Sequence, residues 1–179
     1  DVGYKLIIVL AGMSNDLRNQ TQSRADDGFV GIDTGRFSSG LPHNQLLTGV
    51  GLINPDVLAD CLTTSEKDFN RAFAQRIGSL SHNPLPFLAV IKKNKNSFDN
   101  LINWLTATES NFNDIPLLLI DDEADHASIN TNKEYLDPTT INKKITDLLA
   151  VFPKNAYVGY TATPFANVFI NPGETDIFP

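Results

Sequence analysis

The chain is poor in the residue that would fix it covalently. It has a single cysteine, Cys61, among 179 residues, which excludes an internal disulfide. A reducing compartment, hence the cytoplasm, is the simpler expectation, with Cys61 serving packing rather than thiol catalysis. Long apolar runs are also lacking. Stretches such as Leu6 to Ala11 and Pro116 to Ile120 fall far short of the roughly 20 residues that a spanning helix needs, so no membrane partner is expected. Positive charge is scarce too, with 14 Lys and Arg against 21 Asp and Glu, a formal net charge of −7. That balance argues against a dedicated nucleic-acid clamp, because affinity for phosphates comes mainly from Lys and Arg, and it leaves room only for a local basic patch. No Gly-x-x-x-x-Gly-Lys-Ser/Thr pattern occurs anywhere, so a phosphate-binding loop is missing. The opening Asp1-Val2-Gly3-Tyr4-Lys5 has neither Met nor a basic-then-apolar leader, and such a start is expected of a piece of something longer.

What is present is a 41% hydrophobic composition, enough for one α/β domain over residues 1–179 with a real core. The most informative stretch is Leu117-Leu118-Leu119-Ile120-Asp121-Asp122-Glu123-Ala124-Asp125-His126. Apolar residues ending abruptly in carboxylates are the pattern of a buried parallel strand that delivers acids to the carboxyl edge of a sheet, where open α/β sheets do their chemistry. Four acids within five residues repel one another unless a cation sits among them. Mg²⁺, which takes oxygen ligands and keeps several waters, is the natural guest. A solvated acidic turn is the plain alternative.

Elsewhere, Tyr4 to Gly12 reads as a first buried strand, and Phe87 to Ile91 and Ala156 to Tyr160 as later ones. After the first strand, Ser14 caps a helix to about Asp27 with a thin apolar stripe. It is expected either as a solvated surface helix or with Arg18 and Gln22 turned toward phosphates. Residues 28–55 are Gly-rich and without period, an irregular insert with at most a short hairpin around Phe29 to Thr34. A helix from Thr64 or Ser65 would place Phe69, Phe73 and Ile77 in the core and end at Gly78. Lys92, Lys93 and Lys95 follow a strand and are candidates for tracking a phosphate backbone, a charged solvated loop being the alternative. Ser97 is expected to cap a helix carrying Phe98, Leu101, Ile102 and Leu105, with Trp104 at its margin. A polar loop over Ser128 to Pro138 leads to a last helix from Thr140. Strands alternating with amphipathic helices predict right-handed crossovers and a three-layer α/β/α fold around a mostly parallel sheet.

Two strand ends carry polar signatures in order: Asp122-Glu123-Ala124-Asp125-His126, then Thr161-Ala162-Thr163-Pro164. Together they resemble motifs II and III of superfamily 2 helicases and translocases of the DEAD and DEAH type, and Leu17 to Gln22 resembles motif Ia. More narrowly, Leu118 to Thr131 with Tyr157 to Asn167 resembles the Z-one domain, a family described as endonucleases that accompanies superfamily 2 helicase modules in bacterial restriction and defence systems. The resemblance implies a partial RecA-like first helicase domain and a parent protein that uses Mg²⁺ and ATP, with neither held tightly by these residues alone. It implies that Asp122, with Asp121 beside it, holds the metal and that Glu123 orients or deprotonates the attacking water. Asp125 and His126 would couple to Thr161 and Thr163, while Arg18, Gln22, Lys92, Lys93 and Lys95 would meet the nucleic acid. DNA is the expected partner, with RNA as the alternative, alongside the remaining helicase domains of the parent.

The departures are the missing phosphate loop and the missing arginine-bearing second domain. Either a parent chain supplies both, or the ATP chemistry has been lost. A rival assignment is direct metal-dependent DNA hydrolysis by the cluster Asp121, Asp122, Glu123, Asp125 and His126, although two-metal nucleases gather carboxylates from several elements. The third is a non-catalytic nucleic-acid or partner-binding module. In the usual RecA-like order, the absent phosphate-loop strand would lie beside Ala156 to Tyr160. That strand is thus expected at a sheet edge, open to pairing with a second copy.

Overall fold

A computed structural model describes residues 3–56, 59–75, 77–124 and 138–162. Five strands, β1 (Leu6–Ala11), β2 (Asp60–Cys61), β3 (Phe87–Lys92), β4 (Leu117–Asp121) and β5 (Asn155–Gly159), make one sheet in the order β2-β3-β1-β4-β5. Every pairing is parallel. All carboxyl ends therefore share one edge, and every connection has to cross the sheet.

The period-2 alternation of the strands sorts their side chains onto two faces. On one, Leu6, Ile8 and Leu10 of β1, Phe87, Ala89 and Ile91 of β3, and Leu117 and Leu119 of β4 pack under two long helices. These are α4 (Lys95–Thr108) and α5 (Pro138–Val151). Of the i, i+3, i+4, i+7 stripe of α4, Phe98, Leu101 and Leu105 are buried and Ile102 partly so, but the helix cap is Asn94, whose Oδ1 accepts from Ser97 N at 2.9 Å, three residues before the expected one. Trp104 is core rather than margin, tilted against Phe69 with ring centroids 5.6 Å apart. On the other face, Leu88 and Val90 with Ile7 and Val9 meet Val30, Ile32 and Leu46. The result is the expected three-layer α/β arrangement.

That second face is covered by α1 (Asn15–Ala25), capped by Ser14 as expected and running directly into a π-helical turn over Asp26–Val30. The polar composition of α1 does not make it a solvated helix. Arg18 and Gln22 point inward and are buried. The insert that follows is irregular: tight turns at Thr34–Ser39 and His43–Gln45, a short helix α2 (Val50–Ile53), and a single antiparallel bridge, Ile32 to Leu47, in place of a hairpin. It lies so close to the π-helical turn that a Cβ on Gly51 would sit 2.0 Å from the Gly31 carbonyl oxygen.

The helix expected from Thr64 shrinks to α3 (Arg71–Ala74), capped by Asn70. Arg18 is the physical reason. Its guanidinium donates to the carbonyls of Thr64 at 2.5 Å, Lys67 at 3.1 Å and Val90 at 3.2 Å, and to Asn19 Oδ1. The Thr64 and Lys67 carbonyls that a helix would have used are taken, and residues 64–67 close on themselves as a turn. Beside this clamp, Gln22 donates to Asp26 and accepts from Thr63 Oγ1, which in turn accepts from Val90 N. Asp26 also accepts from both Thr34 N and Thr34 Oγ1. Burial raises its carboxyl pKa, and these donors partly offset the rise. Cys61 sits alongside, its thiol pushed up by burial, consistent with packing rather than reactivity.

Arg18→Ala would leave the buried Val90 carbonyl without its partner, strip the Thr64 and Lys67 carbonyls back to each other's N–H, and empty the space of a fully buried side chain. An unsatisfied buried carbonyl costs about 1–3 kcal/mol, and the cavity adds to it. The variant is expected to lose about 3 kcal/mol or more of unfolding free energy in a urea titration, and amide exchange should accelerate selectively in residues 64–67. A loss under about 1 kcal/mol would contradict the clamp.

Candidate functional site

At the carboxyl edge the chain leaves neighbouring strands toward opposite faces. β1 feeds α1 on one side of the sheet; β3 and β4 are followed by α4 and α5 on the other. The crevice between β1 and β4 is thus a topological switch point, the place where open α/β sheets bind ligands. The acidic turn sits there. Asp122 N donates to Leu10 O at 3.0 Å, Tyr160 N to Asp121 O at 2.8 Å, and Ala124 N to Tyr160 O at 2.9 Å. The turn is thereby tied to β1 on one side and to the end of β5 on the other.

Asp121 closes β4 and is buried. Its Oδ2 accepts from Tyr157 Oη at 2.8 Å, and its Oδ1 faces Lys93 Nζ at 2.5 Å. Burial is the larger influence and raises the carboxyl pKa, while Lys93 and Tyr157 pull it back. Lys93, itself 4% exposed, also donates to Glu123 O at 2.7 Å. One ammonium thus holds the strand end and the turn beyond it. Asp122 is exposed, with Oδ1 accepting from Glu123 N at 3.1 Å. Glu123 is half-buried and lies at φ 58°, in the left-handed region that costs an ordinary residue about 1–2 kcal/mol. Such conformations persist where the surroundings over-determine them, and they concentrate at functional sites. Gly12 makes room for this side chain: a Cβ there would stand 3.2 Å from Glu123 Oε2.

The expected residues divide accordingly. Asp121, Asp122, Glu123 and half-buried Thr161 come together at one edge. Asp125, His126 and Thr163 lie outside the described residues. Arg18 and Gln22 have no solvent-facing surface, so the phosphate contacts expected of them are replaced by structural hydrogen bonds. Lys93 also leaves the basic group: it is not on a phosphate-facing surface but buried in the acidic site. Lys92 is half-buried and Lys95 exposed. Asp121 is occupied by Lys93 and Tyr157, and Asp122 is the solvent-exposed carboxylate of the turn. Among the described residues, no three His, Cys, Asp or Glu side chains converge. Tyr157 is the member that sequence reasoning missed, and Lys93 is the one it assigned to a different surface. Their signal was position, Lys93 just past a buried strand and Tyr157 inside β5.

Lys93→Met is expected to cost about 3–5 kcal/mol, because it leaves a buried carboxylate without its counter-charge. The loss should grow as pH rises above the ordinary carboxylate range, since the folded state then holds a proton on Asp121 that the unfolded chain has already released. Combining it with Asp121→Asn should recover more than half of the loss. Urea unfolding of the two single variants and the double variant across pH measures both effects, and simple additivity would contradict the coupling.

No family model, no curated protein and no solved structure matches this chain, so its chemistry is argued from the geometry of its own site.

Proposed function

We propose that these residues are the acid-bearing part of an ATP-hydrolysing, nucleic-acid-dependent motor domain, RecA-like in plan, with DNA as the strand it acts on. The observation that carries the proposal is the acidic turn at the switch point, one strand away from an open sheet edge. Among the described residues β5 pairs only with β4, and Val158 and Tyr160 are exposed along it, 39% and 60%. A strand bearing a phosphate loop, added beside β5, would lie about 10 Å from β4, two strand spacings away. That gap suits a polyphosphate with its Mg²⁺ and a water.

In this reading Asp122 would hold Mg²⁺, which would neutralise charge on the phosphates. Glu123, fixed by its left-handed turn and by Lys93 on its carbonyl, orients or deprotonates the water that attacks the terminal phosphate. Phosphoryl transfer needs positioning and charge neutralisation rather than covalent chemistry, so a carboxylate beside the metal is sufficient equipment. Thr161, next to Tyr160, is placed to pass the nucleotide state on to the end of β5. The resemblance to the Z-one domain extends the proposal to a bacterial restriction or defence-type endonuclease system.

The 179 residues alone are expected to hydrolyse no ATP above background, because an acidic cluster without a cradle of N–H groups and a lysine repels the triphosphate. Joined to polypeptide of the same protein that carries a Gly-Lys-Ser/Thr loop, they should gain Mg²⁺-dependent, DNA-stimulated hydrolysis. Glu123→Gln should then lower kcat by about 10²-fold or more. Turnover by the 179 residues alone would overturn the assignment. Mg²⁺-dependent DNA cleavage without ATP, lost in Glu123→Gln, would shift it to direct nuclease chemistry.

A further inference from the structure

At the far end of the same carboxyl edge, past β2, a cavity of about 450 Å³ opens between the Thr34–Ser39 turn and α3. Its walls include the rings of Phe37 and Phe73, near-parallel at 19° with centroids 6.4 Å apart. Phe37 is 36% exposed and Phe73 half-buried, whereas Phe69 is the aromatic that this segment gives to the core. The two rings lie within stacking range of each other and together form one aromatic wall of the cavity. A planar ring entering the cavity can stack against that wall.

The polar wall completes a site for a base rather than for an aliphatic group. Lys67, Asp68 and Asn70 line the cavity with Thr64. Asp68 is held by Ser97 Oγ at 2.8 Å and by Phe69 N, and its remaining acceptor capacity suits an exocyclic amino group. Ser97 belongs to a neighbouring cavity of about 370 Å³, whose lining is wholly polar and includes Lys92, Asn94 and Lys95. An aromatic pocket therefore adjoins a cationic one across a single hydrogen bond. Arg36, Lys67, Arg71, Lys92 and Lys95 make no salt bridge among the described residues, although the chain carries a net charge of −7.

We infer that the cavity walled by Phe37 and Phe73 takes an unstacked nucleobase of a single-stranded nucleic acid, with Lys67, Lys92 and Lys95 meeting the adjoining phosphates. Aromatic platforms beside basic side chains bind single strands with little sequence preference, because every base has a face to stack. A duplex, whose bases are already stacked, has none to offer. The inference deepens the motor-domain reading by naming the surface that takes the strand. It is nonetheless read without ATP, so loss of the hydrolysis reading leaves it standing, and its own failure leaves the acidic site untouched.

The test is fluorescence anisotropy of the 179-residue chain with a labelled oligothymidylate and with a duplex of equal length at low salt. Single-strand binding is expected to exceed duplex binding. Phe37→Ala and Phe73→Ala should each weaken it about fivefold to a hundredfold, and Lys67→Ala should flatten its salt dependence. Phe37→Trp should keep the affinity and show quenched fluorescence on binding, read against the buried Trp104; this variant keeps the test decisive if Phe73→Ala fails to fold. Equal binding of duplex and single strand, unchanged affinity in Phe37→Ala, an unquenched Phe37→Trp, or no binding at all would each overturn the proposal.

Discussion

A buried ammonium needs a counter-charge and acceptors, and the carboxyl edge of this sheet is built around that requirement at Lys93. Its partners are Asp121 at the end of β4 and the carbonyl of Glu123 in the turn beyond, while its own backbone N donates to Gly12 O at the end of β1. Three strand ends therefore meet at one residue. The pair is not a source of net stability, since desolvating both charges offsets much of their attraction. What it supplies is placement, a charged tie added to the backbone hydrogen bonds that hold the acidic turn in the β1–β4 crevice.

Arg18 does comparable work on the opposite face with different chemistry. Lys93 is neutralised by a carboxylate; Arg18 is satisfied largely by main-chain carbonyls, and burial lowers its pKa while Asp68 and Asp26 pull it back up. A guanidinium tolerates this because its charge is delocalised and its donors are fixed in a fork. The turn at residues 64–67 that it gathers is also one wall of the Phe37–Phe73 cavity, so the shape of that cavity depends on a side chain that does not line it.

The strands and the two long helices were legible because their signals are local: apolar runs in β1, β3 and β4, and helical spacing in α4 and α5. The acidic edge was legible for the same reason, since β4 ends abruptly in carboxylates. Other features depend on partners distant in sequence, and no window could reveal them. Nothing near Arg18 announces the carbonyls of residues 64, 67 and 90. The spacing of Phe69, Phe73 and Ile77 suggested a helix that Arg18 then pre-empts. Lys93 read as one of three surface lysines because a charge run says nothing about which member turns inward. β2, only two residues long, carries too little pattern to be found.

β1 is the central strand, yet both of its neighbours arrive late in the chain: Leu6 pairs with Phe87 on one side and with Leu117 on the other. A parallel sheet nucleated this way must close long loops before any ladder rewards them, which makes folding slow. During synthesis the first strand emerges with both edges bare and waits for most of the domain to leave the ribosome. For that interval the nascent chain presents Leu6-Ile7-Ile8-Val9-Leu10 as an unpaired β-prone segment, the kind of species that calls for a chaperone.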